Sequence, residues 1–330
     1  MGREERKQHS ISVIIATAFR EEQLVNALQS INAQIRPPKE VIIVDGAPAP
    51  GVEMLVNNTT EQFCCKVHYL RWTSPSAAVQ RNVGSQKAKG DIILFMDDDV
   101  YPEVDCFEKM TRFFDDDINC KVGGIGVLIS NQQCLPPSKR AKRWLDFLSD
   151  DKRDSYSGAV IGPGLNIGPE PTSHHQPVQV EWLNTGCTAY RREAFLTEKF
   201  CPTFYGYSVM EDVDISVRIA RNWDIYVHTG AFIFHDSRPS IFKKPFIRAK
   251  MSVVNRYHVM TKSLGRRTLK HHLKFILSIS VTYCYSILKI RQFNEIPRKL
   301  QEGFGLITGL AIIFPSTIFS LVSGDPKEPE

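Results

Sequence analysis

The sequence feature that most constrains the fold is an uninterrupted apolar run at residues 92–96, Ile-Ile-Leu-Phe-Met, which leads directly into Asp97, Asp98 and Asp99. Five large apolar residues without polar alternation indicate a strand that is buried on both faces, as in a parallel sheet. Open α/β sheets bind ligands at the carboxyl ends of their strands, and Mg²⁺ and Mn²⁺ prefer carboxylate oxygens. The pattern therefore predicts a ligand site that uses a divalent cation. The alternative is a solvated turn that begins the next helix.

The segments before this run alternate between strands and helices. Residues 11–16 and 41–44 are apolar runs typical of buried strands, and residues 21–34 between them place apolar side chains at helical spacing. This order predicts a doubly wound α/β sheet. Since Asp45 ends one strand and Asp97 another, we expect both to lie at one ligand crevice.

The charge and cysteine patterns limit the class of protein. The formal net charge is +5, and many basic residues follow residue 243. This distribution suits a membrane surface, phosphate ligands or a solvated helix face better than nucleic acid, for which no recognition module is visible. The eight cysteines form no C-x-x-C pattern and the first ten residues are polar and charged. We therefore expect a cytoplasmic protein without a signal peptide.

The middle of the chain changes character. Residues 135–177 are rich in proline and glycine, which predicts irregular chain around a short amphipathic piece near residues 144–148. Beyond them, an amphipathic helix is predicted at residues 211–220, and two short strands at residues 225–227 and 231–234.

Two uncharged apolar segments, residues 275–288 and 304–322, mark the tail. The first is too short to span a bilayer and the second approaches the required length of about 20 residues, although it contains Pro315. Either a buried or interfacial helix pair or membrane spans would place the tail at a membrane or in a large apolar interface. We predict a catalytic domain at residues 1–260 and a helical tail at 261–330, packed on that domain or associated with the cytoplasmic face of a membrane.

Blocks at residues 30–46, 77–99, 182–195 and 211–218 occur in an order that resembles the family 2 inverting glycosyltransferases, which have the GT-A fold. The first ends in Pro-Pro-Lys-Glu-Val-Ile-Ile-Val-Asp-Gly, and the second contains Ala-x-x-x-Arg-Asn-x-Gly before the acidic motif. The third contains Trp-Leu-Asn-Thr-Gly, and the fourth opens with Glu-Asp-Val-Asp. The match runs from about residue 11 to residue 260.

The resemblance implies roles for particular residues. Asp212 matches the family's general base, and Glu211 would orient it or the acceptor. Metal binding would fall to Asp97, Asp99 and His235, with Mn²⁺ or Mg²⁺ as the cofactor. The residues implied in binding the nucleotide-sugar donor are Thr17, Asp45, Arg81, Asp97, Asp98, Trp182, Gly186 and Arg238. Arg81 would pair with the diphosphate or brace the acidic loop, and Arg238 and the segment Asn255-Arg256-Tyr257 would close over the phosphates.

Several of these residues also have structural interpretations. Asp212 suits the first turn of any helix, because the helix dipole favours negative charge there. Asp214 and Arg218 stand at the spacing of a helical ion pair. Trp182 fits a hydrophobic core as well as a sugar-stacking site, and a histidine such as His235 at a strand end is often structural.

The chain also departs from the family pattern. After the first strand it has Ala16-Thr17-Ala18-Phe19-Arg20, where members often carry a proline and a Tyr-Asn pair. Met210 stands where glycine is frequent, which puts the geometry of that loop in doubt. No Gln-x-x-Arg-Trp follows the predicted base, which argues against a processive synthase.

The resulting expectation is a metal-dependent, inverting hexosyltransferase that moves one sugar from a nucleotide-sugar to a glycan or lipid-linked acceptor in cell-surface polysaccharide synthesis. A nucleotidyltransferase is the enzymatic alternative, but it should carry a glycine-rich basic loop after the first strand, and residues 16–22 contain no glycine. A non-catalytic GT-A-like binding module is the other alternative. It would be expected to have lost Asp99 or Asp212.

Overall fold

The apolar run and the strands around it form one mixed sheet in a computed structural model of the chain. The structure describes residues 8–47, 52–61, 63, 65–132, 134–204, 206, 208–237 and 244–323, and of residues 316–323 only the backbone. Within these residues the strands are β1 (Ile11–Thr17), β2 (Glu40–Asp45), β3 (Lys66–Arg71), β4 (Ile92–Asp97), β5 (Val100–Pro102), β6 (Val122–Ile129), β7 (Val160–Ile161), β8 (Leu165–Asn166), β9 (Pro177–Gln179), β10 (Cys187–Arg191) and β11 (Asp224–His235).

The described helices begin with the one that follows β1. They are α1 (Glu21–Asn32), α2 (Val52–Thr60), α3 (Ala77–Lys87), α4 (Cys106–Asp115), α5 (Lys139–Leu148), α6 (Arg192–Glu198), α7 (Glu211–Ile219), α8 (Pro245–His258), α9 (Leu269–Leu288) and α10 (Ile296–Ser323). A π-helical turn, Val259–Ser263, continues α8, and a 3₁₀ turn, Phe293–Glu295, precedes α10.

Over its described residues the chain divides into two compact units. The first comprises Met1–Pro136, Ser157–Ala159 and Gly168–Arg238, and the second comprises Pro137–Tyr156, Val160–Ile167 and Pro239–Glu330. The first unit contains the sheet, whereas α5, the β7–β8 hairpin and α8 to α10 belong to the second. The predicted division into a catalytic domain and a tail at residue 260 stays a prediction.

The sheet has the strand order β3-β2-β1-β4-β10-β6-β11-β5, with β9 paired to β11. Strands β1 to β4 run parallel, which confirms the alternating α/β pattern read from the sequence. The register pairs Thr17 with Asp45 and Ala16 with Asp97, so the carboxyl ends of three strands meet at one edge. We call this the acidic edge, and it places Thr17, Asp45 and Asp97 side by side.

Strand β10 was not expected at the centre of the sheet. It runs antiparallel between β4 and β6, with Cys187 opposite Met96. The amide of Asp97 donates to the carbonyl oxygen of Gly186, at 3.0 Å. The loop before β10 therefore lies at the acidic edge, and the central apolar strand has one parallel and one antiparallel neighbour.

A glycine sets the position of α3 on the sheet. A Cβ on Gly84 would lie 2.5 Å from Cγ2 of Ile14 in β1, so only glycine permits this close approach. Arg81 lies about one turn earlier on the same helix, and the close packing brings its side chain to the acidic edge.

One secondary-structure prediction was wrong. Residues 225–227 and 231–234 belong to a single long strand, β11, which is parallel to β6 with a register shift between His228 and Phe232. The bulge explains the error, because Thr229 and Gly230 interrupt the apolar pattern without ending the strand.

Candidate active site

The acidic edge is joined to helix α7 by Arg81. Its Nη2 donates to Oδ1 of Asp97 at 2.7 Å, and its Nη1 donates to Oε1 of Glu211 at 2.9 Å. The Arg81 side chain is 4% exposed. Burial lowers the pKa of Arg81, but the two carboxylates outweigh this and raise it. Arg81 is therefore a permanently charged clamp between two acidic segments that are far apart in sequence.

Helix α7 presents Glu211 and Asp212 in its first turn. Glu211 is buried and Asp212 is half-buried. Burial raises the pKa of both carboxyls. The negative charge of Asp212 raises the pKa of Glu211 further, and the negative charge of Asp97 does the same for Asp212. Asp212 accepts from the amide of Val213 through Oδ1, at 2.8 Å. Raised pKa values near an acidic cluster are typical of groups that exchange protons in catalysis.

The loop before α7 has the backbone conformation of a glycine. Met210 has φ 75°, in the left-handed region that ordinary side chains avoid. Glycine adopts this conformation without strain, so the Met at this position carries a backbone strain that a glycine would not.

A second arginine neutralises the other two aspartates. Arg20 Nη1 donates to Oδ1 of Asp98 at 2.9 Å and also to Oδ2 of Asp99. The remaining oxygen of Asp98 accepts from the hydroxyl of Thr17 at 2.7 Å. Burial raises the pKa of Asp98 to about 7, even though Arg20 acts in the opposite direction. Both Asp98 oxygens are committed within the protein, whereas Asp99 has one oxygen away from Arg20.

That oxygen of Asp99 faces His235. The distance from Asp99 Oδ1 to His235 Nε2 is 3.7 Å, and His235 Nδ1 lies 2.8 Å from Nε2 of Gln132. Asn131 also holds the backbone of His235 through its amide and its carbonyl. As the side chains stand, the Gln132 amide nitrogen donates to Nδ1, which leaves the proton of a neutral His235 on Nε2, toward Asp99. Nε2 becomes able to ligate a cation beside Asp99 when the Gln132 amide is turned so that its oxygen accepts from Nδ1–H.

Asp45 is fully buried at the end of β2, and both of its oxygens have partners. Its Oδ1 accepts from the amide of Ala47 at 2.9 Å, and its Oδ2 accepts from the hydroxyl of Tyr69 at 2.7 Å. Burial raises the pKa of Tyr69 to about 12, with Asp45 acting in the same direction. Gln80 donates to the carbonyl oxygens of Thr17 and Val44, which ties α3 to the ends of β1 and β2.

Comparison with known proteins assigns the chain to a family. The model of the family described as "Glycosyl transferase family 2" matches residues 12–197, more than half of the 330-residue chain. The chain belongs to glycosyltransferase family 2. The match covers the strands of the acidic edge and ends before α7.

A curated relative of this chain is an uncharacterized glycosyltransferase of Haemophilus influenzae, which is 34% identical over 98 residues. That alignment covers 29% of this chain and 30% of the relative, so the chain matches less than a third of the relative's length.

Three solved structures are similar in fold. The mannosyltransferase PcManGT of Pyrobaculum calidifontis, in complex with GDP-Man and Mn²⁺, has a TM-score of 0.53 at 15% identity, over 95% of this chain and 84% of that one. TarS 1–349 of S. aureus has a TM-score of 0.52 at 14% identity, over 94% and 86%. GalNAc-T7 with UDP, GalNAc and Mn²⁺ has a TM-score of 0.53 at 13% identity, over 83% of this chain and 55% of that one. These likenesses confirm the GT-A fold predicted from the sequence.

The structure brings together only some of the site residues that the sequence predicts. Thr17, Asp45, Arg81, Asp97, Asp98, Asp99, Gly186, Glu211 and His235 are connected at the acidic edge by the contacts above, and Asp212 adjoins it on α7. Trp182 is 8% exposed, which suits its structural interpretation, and its predicted contact with a sugar stays a prediction. Arg238 lies outside the described residues.

The ion pair predicted on α7 is confirmed. Arg218 Nη2 lies 2.7 Å from Oδ2 of the buried Asp214, and Arg218 also pairs with Glu198. The two residues stabilise the helix and its neighbour, which leaves Glu211 and Asp212 as the carboxyls of this segment at the acidic edge.

Sequence reasoning missed four residues that organise the site: Arg20, Tyr69, Gln80 and Gln132. Arg20 was visible as a departure from the family pattern, and Gln80 stands next to Arg81 within a recognised block. Nothing in the local sequence marks Tyr69 or Gln132, because their partners lie on other strands.

Proposed function

We propose that the protein is a metal-dependent, inverting glycosyltransferase that moves one hexose from a nucleotide-sugar to a glycan or lipid-linked acceptor. The observation that carries the proposal is the Asp97–Arg81–Glu211 clamp. It fixes the first turn of α7, with Asp212, beside the edge where the family resemblance puts the donor.

In the proposed reaction Asp212 is the general base. The acceptor oxygen attacks the anomeric carbon from the face opposite the diphosphate, and its proton passes to an Asp212 carboxylate oxygen. The bond from the anomeric carbon to the diphosphate oxygen breaks, and the nucleoside diphosphate leaves with the electron pair. One displacement inverts the anomeric configuration. The raised pKa of Asp212 favours this role, because a base works best when its pKa approaches the working pH.

Asp99 and His235 would hold the divalent cation. Among the described residues no group of three or more His, Cys, Asp or Glu side chains is arranged as a complete metal site. A two-residue site fits Mg²⁺ or Mn²⁺, since these ions complete their coordination with phosphate oxygens and water. The ion would supply positive charge to the departing diphosphate. Two of the similar structures contain Mn²⁺, which supports this cofactor. Asp97, the third predicted ligand, has one oxygen bound to Arg81.

The donor would lie along the edge from Asp45 to Asp99, in contact with the donor-binding residues predicted from the sequence. The similar structures contain UDP with GalNAc, or GDP-Man, so they support a nucleotide-sugar donor without selecting the base. We also propose that the acceptor is used in cell-surface polysaccharide synthesis and that the protein lies at the cytoplasmic face of a membrane.

A thermal-shift panel tests donor and metal together. UDP and GDP are each added with Mn²⁺, with Mg²⁺ or with EDTA. A ligand that binds only the folded protein raises the melting temperature. We expect a rise for at least one nucleotide with a divalent cation and a smaller rise with EDTA. Equal shifts with and without the cation would exclude metal dependence.

The role of Asp212 is tested by substitution. Asp212→Asn keeps the shape and removes the proton acceptor, so nucleoside diphosphate release from the accepted sugar donor should fall about 10²–10⁴-fold with little change in donor affinity. In the unaltered enzyme, acid should slow the reaction at a higher pH than an ordinary aspartate would, because the base is active only above its raised pKa. Asp154→Asn, an exposed control in the second unit, should have neither effect. A normal rate in Asp212→Asn would assign the base elsewhere, with Glu211 as the next candidate. Retention of the anomeric configuration in the product would exclude the single displacement.

A further inference from the structure

Only part of the apolar surface of helices α9 and α10 is buried inside the second unit. In α9 the inner face carries Phe275 and Ile279, which are buried. In α10 the inner face carries Gly305 and Gly309 together with the buried Ile313. A Cβ on Gly305 would collide with the carbonyl oxygen of Phe246, and one on Gly309 would lie 2.7 Å from Cβ of Val253. The small residues let α10 pack closely on α8, which fixes the side of α10 that points inward.

The opposite faces of both helices are apolar as well, and they are exposed. Leu273 of α9 is 59% exposed and Phe304 of α10 is 63% exposed. Most of the outer apolar residues lie three, four or seven positions from another on the same helix, so they form a stripe on each helix. The α9 stripe consists of Leu269, Leu273, Ile276, Leu277, Val281 and Leu288, and the α10 stripe consists of Leu300, Phe304, Ile307, Ile312 and Phe314.

Basic residues accompany these stripes. Helix α9 contains no acidic residue. Between residues 261 and 302 the basic residues are Lys262, Arg266, Arg267, Lys270, Lys274, Lys289, Arg291, Arg298 and Lys299, and the acidic ones are Glu295 and Glu302. Glu302 is already paired with Arg298 and Lys299. Lys274 is buried and pairs with Asp150, so it cannot contact a headgroup, and Arg266 and Lys270 also pair with Asp150. The exposed basic residues still outnumber the acidic ones, so the segment combines large exposed apolar side chains with an excess of positive charge.

We propose that the outer stripes of α9 and α10 form a docking face for an anionic lipid bilayer, with both helices lying in the plane of the membrane surface. Apolar side chains enter the boundary between headgroups and acyl chains, and the basic residues contact anionic headgroups. Within the described residues no helix is long and apolar enough to cross a bilayer.

The excess positive charge favours lipid over a second copy of this chain. A two-fold dimer would place the same patch of both copies face to face, and their like charges would repel. An anionic membrane instead attracts the basic residues while it covers the apolar ones. The docking face would bring the enzyme to lipid-linked acceptors, but the proposal does not depend on the catalytic role of Asp212.

Vesicle flotation of the full chain tests the docking face. The probes are phosphatidylcholine vesicles with and without about one-third phosphatidylglycerol. We expect the protein to float with the anionic vesicles, and to do so less with neutral vesicles or at high salt. Leu273→Gln combined with Ile276→Gln should lower the partition coefficient by about tenfold or more, since two apolar side chains no longer enter the bilayer. Arg291→Gln should lower it by about fivefold.

Ile118→Gln is the control, because Ile118 is an apolar residue of the first unit that is even more exposed, at 87%, than Leu273 and Ile276. It should float like the unaltered protein. Phe304→Gln provides a second helix to test if the α9 variant fails to fold. The proposal is overturned if the unaltered protein stays in the soluble fraction with both vesicle types. It is also overturned if light scattering shows a stable dimer that the α9 variant dissociates. Retained thermal shifts with nucleotide and metal in the variants would show that the donor site is intact whichever result is found.

Discussion

Arg81 and Arg20 each bridge two carboxylates at the acidic edge, and they differ in how far water reaches them. The Arg81 side chain is 4% exposed and joins Asp97 to Glu211, which come from different parts of the fold. The Arg20 side chain is 21% exposed and joins Asp98 to the adjacent Asp99. Electrostatic interactions are stronger where water is excluded, and a buried charge without its partner is very costly.

The difference separates two roles for similar ion pairs. Arg81 connects helix α7 to the sheet, so its two ion pairs stabilise the position of α7 at the acidic edge. Arg20 balances the charge of two neighbouring, buried carboxylates on one loop, and its own side chain is partly exposed to solvent. We therefore expect the loss of Arg81 to act mainly on stability and the loss of Arg20 to act mainly on cation binding.

The largest effect should follow Arg81→Met. Removing one partner of a buried ion pair typically costs about 3–5 kcal/mol, so the free energy of unfolding should fall by about that amount in urea denaturation. In the double variant Arg81→Met with Glu211→Gln, the loss of unfolding free energy should be smaller than the sum of the losses in the two single variants. The reason is that the buried carboxylate of Glu211, which Arg81→Met leaves without its partner, is no longer charged. If the free energy of unfolding fell by less than about 1 kcal/mol, Arg81 would have no larger role in stability than Arg20.

Asp99→Asn should come next and act on binding. The change removes charge from the proposed ion site, so the Mn²⁺-dependent affinity for nucleoside diphosphate should fall by at least about 10–100-fold. The melting temperature without ligand should change little, since Asp99 contacts the partly exposed Arg20. Calorimetric titration with and without Mn²⁺ measures the effect. An unchanged metal dependence would reject Asp99 as a ligand.

A smaller change is expected for Arg20→Gln. The Arg20 side chain is partly exposed, but the Asp98 and Asp99 side chains are only 6% and 10% exposed. The free energy of unfolding should therefore fall by more than for a surface pair and by less than in Arg81→Met, by about 1–3 kcal/mol. Binding of Mn²⁺ alone should tighten by about fivefold, because a neighbouring positive charge is lost. Arg36→Gln is a matched control. Arg36 has a side chain 19% exposed and pairs with Asp115, and its loss should leave Mn²⁺ binding unchanged. Equal effects in both variants would show that Arg20 does not act on the cation.

Tyr69→Phe should give the smallest effect. It removes one hydrogen bond to Asp45, which contributes about 0.5–1.5 kcal/mol. If Asp45 contacts the nucleotide, the ratio of UDP to GDP affinity should shift severalfold while Mn²⁺ binding stays constant. An unchanged ratio would limit Tyr69 to a structural role.

The sequence by itself determined the alternating α/β pattern, the buried central strand and the carboxylates that follow it. These features depend on local order along the chain, and the spacing of Arg81, Asp97 and Glu211 within recognised blocks was enough to identify the family. The sequence also indicated the ion pair of Asp214 with Arg218, because helical spacing alone brings such residues together.

Only the tertiary structure decided which charges meet. The antiparallel insertion of β10 beside β4 and the unbroken course of β11 depend on pairing between distant strands, which residue periodicity does not encode. Arg20 forms ion pairs with Asp98 and Asp99, and Tyr69 donates a hydrogen bond to Asp45. These contacts likewise depend on side chains that approach from other elements. The same holds for the outer stripes of α9 and α10. The sequence shows that these helices are apolar, but their exposed face is defined only once the glycines of α10 have packed against α8.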